Sequence, residues 1–87
     1  MPELSRFFGI IIRMYLSDHT PPHFHAFYQD YEAMFDIAEG NLLQGALPRK
    51  ETRLVLAWLE VHREELFENW KIATQRRGEL NAIKPLD

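Results

Sequence analysis

The stretch His23-Phe24-His25-Ala26-Phe27-Tyr28-Gln29-Asp30-Tyr31-Glu32-Ala33-Met34-Phe35-Asp36-Ile37 reads as two strands joined by a tight turn. Tyr31, Ala33, Phe35 and Ile37 fall on one face at period two, opposite Glu32, Met34 and Asp36. That alternation suits an antiparallel sheet packed on one side and wet on the other. Gln29-Asp30 is short enough for a hairpin loop. Phe24 points away from His23 and His25, into the packed side.

Upstream, Phe7 to Leu16 is rich in Ile, Phe and Tyr and reads as a first strand, with Phe8, Ile10, Ile12 and Met14 on one face. Gly9 allows a bend there. Asp18 to Pro22 is a turn, because Thr20 and Pro21 both precede prolines and are pushed away from helical angles. Downstream, Ala38-Glu39-Gly40-Asn41 is a second hairpin loop, and Leu42 to Leu47 a fourth strand. Pro48 suits a helix start. The helix is expected over about 49–77, with Gly78 as its C-terminal cap. Val55, Trp58, Leu59, His62, Leu66, Trp70 and Ala73 form its apolar stripe, and Arg53, Glu60, Glu64, Glu68 and Lys71 the far side. Arg76 and Arg77 suit the negative end of the helix dipole. Leu80 to Leu86 reads as an extended tail or short edge strand, limited by Pro85. The expected fold is α+β: a four-stranded antiparallel meander covered on one face by a single long C-terminal helix, in one domain.

Composition sets the outer limits. Eighty-seven residues, 46% hydrophobic and 13% aromatic, can build one small core. There is no cysteine, so neither disulfides nor thiolate metal sites contribute. Met1-Pro2-Glu3 lacks the basic start of a signal peptide. The longest apolar run, Phe7 to Ile12, is far below the roughly 20 residues of a membrane span. A soluble cytoplasmic protein is expected. The formal charge of −3 disfavours general nucleic-acid binding through net charge.

Three of the four histidines lie within Asp18-His19-Thr20-Pro21-Pro22-His23-Phe24-His25-Ala26. On a strand, His23 and His25 project to the same side about 7 Å apart at Cα, so two imidazoles can converge on one atom. His19 sits across the Pro-Pro turn. Three readings fit. His19, His23 and His25 bind zinc or another divalent metal, with Asp18 or another carboxylate completing the shell. Alternatively His23 and His25 act as general base and acid, with Arg13 stabilising negative charge; this chemistry cleaves RNA with no cofactor. Or the imidazoles organise a turn and a partner-binding surface. His62, inside the apolar stripe, is either a hydrogen-bonded core residue or a fourth imidazole reaching the sheet.

Arg49, Lys50 and Arg53 place positive charge at the helix start, where a phosphate site would be strengthened; a solvated basic end is the plainer account. Arg13 and Arg6 extend that patch. The sheet face away from the helix would carry some of Phe7, Ile11, Arg13, Tyr15, Glu32, Met34 and Asp36. It suits a partner surface or a stacking platform for RNA. The negative chain favours a protein partner, and a second copy of the chain is compatible with it.

Ser5-Arg6-Phe7-Phe8-Gly9-Ile10-Ile11-Ile12-Arg13-Met14-Tyr15 and the Asp18 to Ala26 run resemble the bacterial "domain of unknown function" family 4160 (DUF4160). Leu47-Pro48-Arg49-Lys50 and Trp58-Leu59-Glu60-Val61-His62-Arg63-Glu64-Glu65-Leu66 fit the same pattern. The resemblance covers nearly the whole chain, and Pro-Pro-His-Phe-His is its most specific part. It implies a small cytoplasmic protein encoded beside a member of the uncharacterised family 2442, an arrangement that looks like a toxin–antitoxin operon. A small protein partner of the family 2442 type and action on RNA or translation follow as expectations, with a non-catalytic regulatory module as the alternative.

Overall fold

A computed structural model describes residues 3–16, 18–75 and 78–86. Five strands and one helix follow in chain order: β1 Glu3–Phe7, β2 Ile10–Arg13, β3 His23–Tyr28, β4 Tyr31–Asp36, β5 Leu42–Ala46 and α1 Arg49–Gln75. The strands form one antiparallel sheet in the order β1-β2-β3-β4-β5. The class is α+β with one long C-terminal helix, as the alternation requires, but the sheet has five strands and not four.

The extra strand comes from the region read as one strand over Phe7 to Leu16. Phe8 and Gly9 both adopt positive φ, 50° and 79°, and turn the chain back on itself between β1 and β2. Two successive left-handed residues make the tight hairpin whose twist matches the flanking strands. Phe8 therefore leaves the apolar face and stands 59% exposed at the turn. Phe7, one of the candidates for the open face, packs instead 5.5 Å from the Trp58 ring, centroid to centroid. Ile10, Ile12 and Met14 are fully buried, as their period requires.

Trp58, Leu59, Val55, Leu66 and Ala73 of α1 close the core over Phe24, Ala26, Ala33, Phe35 and Ile37. Phe24 lies 5.9 Å from both Phe35 and Trp58. The helix is interrupted at His62, whose φ/ψ of −117°, 21° are not helical. Arg63, the next residue, donates to the Ile37 carbonyl at 2.9 Å and so ties the kink to the end of β4. Arg76 and Arg77, the expected last helical residues, lie outside the described residues. Past Gly78 the described residues, 79–86, form no strand. The tail packs beside β1 through the Ile83 amide, which donates to Leu4 O at 2.8 Å. Trp58 Nε1 donates to Lys84 O at 2.9 Å, and Asn69 exchanges two hydrogen bonds with the Asn81 backbone. No helix among the described residues is long and apolar enough to cross a membrane.

Two local devices shape the β4–β5 side. The register shifts between Met34 and Phe35, leaving Leu43 as the extra residue of a bulge. At Gly45 (φ 75°) a Cβ would lie 2.1 Å from the Glu32 carbonyl oxygen, so only glycine lets the strands approach. Asp36, at the end of β4, accepts hydrogen bonds from the Glu39, Gly40 and Asn41 amides at 2.9, 2.8 and 3.1 Å, and from Asn41 Nδ2 at 3.3 Å. Burial by itself raises the Asp36 carboxyl, but these donors outweigh it and hold the group below its ordinary value. A depressed folded-state pKa contributes stability that is present above the unfolded value and lost as pH falls through the folded one. Urea midpoints recorded from pH 5 down to pH 2 should accordingly fall less steeply for Asp36→Asn than for the wild type. Parallel profiles would mean that the loop draws nothing from the charge.

Candidate functional site

His23 and His25 lie on the sheet face opposite the core, since Phe24 and Ala26, which alternate with them along β3, are in the core. They are nonetheless buried, at 3% and 7% exposure. The β2–β3 connection folds back over this end of the sheet, with a cis Thr20–Pro21 peptide, and brings Asp18 above the strand. Tyr15 meets the His25 ring edge-on at 4.4 Å. Trp70, from the second half of α1, lies 5.2 Å from the His23 ring at the sheet end.

The two imidazoles converge on one carboxylate oxygen. Asp18 Oδ2 is 2.8 Å from His23 Nε2 and 3.5 Å from His25 Nε2. His23 Nδ1–H donates to the Pro21 carbonyl at 2.7 Å. Both nitrogens of this buried ring thus face oxygen acceptors, which a neutral imidazole, with one N–H, cannot satisfy. The Asp18 carboxyl is itself held below its ordinary value. Burial pushes it up, but the His19 amide at 2.9 Å, the charge of His23 and the two imidazole contacts together prevail.

Metal-site geometry is met on spacing and donor type. One ligand atom from each of Asp18, His23 and His25 lies within 4.8 Å of the others. Atoms bonded to a tetrahedral zinc at about 2.0–2.1 Å stand roughly 3.3 Å apart; the 3.5 Å His25–Asp18 contact is near that value, while the 2.8 Å His23–Asp18 contact is of hydrogen-bond length and would have to open by about 0.5 Å. The third expected ligand differs. The His19 side chain is 94% exposed, with Nδ1 3.9 Å from Asp18 Oδ1, so it stands at the rim while Asp18 takes the central place. A cleft of about 240 Å³ opens beside the cluster, lined by Asp18, His19, His23, Met34, Leu43 and Gln44 among others. Leu43 reaches it from the β5 bulge.

Arg13 pairs in register with His25, so it does belong to this face. Its guanidinium carbon lies 5.2 Å from the Phe27 ring centroid, and its buried Nε has no partner. Among the described residues, no hydrogen bond or ion pair joins Arg49, Lys50 or Arg53 to the histidines. The three basic residues are exposed at the start of α1, which follows the end of β5 at Ala46. Ala46 pairs with Glu32, so the end of β5 lies two strands from β3, four positions along β4 from the partner of His23 and two from that of His25. Arg6 pairs with Glu3 at 2.8 Å. His62 also stays apart: its ring lies 5.5 Å from Trp58 on the helix side, and its Nδ1 meets Glu65 Oε1.

Residue spacing did not single out Glu32 as part of the site. Its Oε2 is 3.7 Å from His25 Nδ1. The signal was present in the two-residue turn, which pairs Tyr28 with Tyr31, Phe27 with Glu32 and His25 with Met34, setting Glu32 diagonal to His25 on the same face.

No curated protein and no solved structure matches the chain. The model of the family described as "Domain of unknown function (DUF4160)" matches residues 9–71, spanning β2 to most of α1 and every residue of the Asp18–His23–His25 cluster, and the chain belongs to that family.

Proposed function

We propose that this protein binds a divalent transition metal through Asp18 Oδ2, His23 Nε2 and His25 Nε2, leaving a coordination position open to the adjoining cleft. The observation that carries the reading is the double acceptor environment of His23. Its Nδ1–H is held by a backbone carbonyl while Nε2 faces a carboxylate. A carbonyl on one ring nitrogen fixes the tautomer that offers the other to a metal. Three protein ligands with a free fourth position is the pattern of catalytic zinc sites, where bound water is activated for attack. Two imidazoles and a carboxylate also suit iron(II).

Acid–base cleavage of RNA by His23 and His25 is the second reading, and the placement of Arg13 beside His25 favours it. The Asp18 carboxylate weighs against it, because a negative charge at the point of convergence repels a phosphate. One preparation tests both. Untagged full-length protein, stripped with chelator, should bind one equivalent of zinc by calorimetry and give a ligand-field spectrum with cobalt(II). Absence of stoichiometric binding overturns the metal reading. RNA cleavage by the stripped protein, lost in His25→Ala, supports the acid–base reading instead.

A further inference from the structure

We propose that Glu32 is a positioning residue for His25, closing on its Nδ1–H when Nε2 holds the metal. This inference rests on the metal reading above. His25 Nδ1 is buried and, among the described residues, has no hydrogen-bond partner, and the carboxylate oxygen Glu32 Oε2 stands 3.7 Å away. That gap is too long for a hydrogen bond but short enough for a side-chain adjustment of about 1 Å to close. Once Nε2 gives its lone pair to a cation, Nδ1 must carry the ring proton, and a buried N–H without an acceptor is costly.

The surroundings favour this carboxylate over other acceptors. Glu32 comes from β4, whose backbone is locked against β5 by the close approach at Gly45. Its side chain is 59% exposed and, among the described residues, forms no ion pair except with His25. It is therefore free to move. Tyr15 packs edge-on against His25 at 4.4 Å, and Arg13 is the register partner of His25 on β2. A carboxylate on the outer nitrogen of a metal-bound imidazole fixes the ring and increases its basicity.

The test compares wild type, Glu32→Ala and Glu32→Gln as full-length proteins with zinc and cobalt(II). Glu32→Ala should weaken metal binding by about 10–100-fold, the usual cost of losing an outer-sphere partner. Glu32→Gln, which keeps an acceptor oxygen, should lose less. In zinc-loaded wild type, the His25 Nδ1–H should appear in nitrogen-15 spectra as a slowly exchanging proton, and it should be lost in Glu32→Ala. The apo thermal midpoints of all three proteins should agree, which separates positioning from folding. Unchanged affinity and an unchanged Nδ1–H signal in Glu32→Ala overturn this inference while leaving the metal reading intact. A wild type that binds no metal overturns both.

Discussion

His23→Ala is expected to abolish metal binding at micromolar protein and to lose the stabilisation that metal confers. The substitution removes a ligand, so the affinity loss should exceed the roughly 10–100-fold caused by removing an outer-sphere partner. A metal bound at 100 times its Kd raises stability by about 2.7 kcal/mol. Zinc should therefore raise the thermal midpoint of the wild type and leave that of His23→Ala unmoved. The apo variant should also be weaker by about 1–3 kcal/mol, because it strips partners from the Pro21 carbonyl and from Asp18. Calorimetry and urea unfolding separate the two effects. A variant that loses stability yet binds zinc like the wild type would reduce His23 to a turn-organising residue, the plainest of the sequence readings.

The second large effect falls in the core. Trp58 is fully buried, packs tilted against Phe7 and His62 and edge-on to Phe24, and anchors the tail through Nε1 to Lys84 O. Trp58→Ala should cost about 3–5 kcal/mol, from lost transfer energy and the cavity left behind. A chain of this size has roughly 4–13 kcal/mol in total, so much of the stability would go. Trp58→Phe keeps most ring contacts and loses the hydrogen bond, for about 1 kcal/mol. In that variant, amide exchange at Ile83 should accelerate more than at Phe24, because only the tail loses a tether. A urea-measured loss under 1 kcal/mol for Trp58→Ala would show that the core closes without this residue.

The reading of the strands succeeded where local pattern and burial agree. Alternation in Tyr31 to Ile37 and the helical stripe through Trp58 and Leu66 each depend on one face being apolar, which composition displays directly. The missed hairpin at Phe8-Gly9 shows where pattern runs out. A left-handed Phe8 carries no turn signature such as Asn-Gly, and an uninterrupted apolar run continues smoothly through it. Register cannot be read past that point either, and Phe7, one of the candidates for the open face, packs in the core.

By itself the sequence determined that His23 and His25 share a side and that an α+β meander would carry them. Strand period and helical period are properties of neighbouring residues, and neighbours are what a sequence lists. Only the tertiary structure decided which face that side is, that Asp18 and not His19 takes the centre, and that no hydrogen bond or ion pair among the described residues joins the basic helix start to the histidines. Those outcomes depend on how the Asp18 to Pro22 connection folds back over the sheet and on the register that sets Glu32 beside His25. Local turn chemistry starts both, through the prolines of the connection and the two-residue turn between β3 and β4, but which side chains meet is fixed only once the core face of β3, with Phe24 against Trp58, is buried.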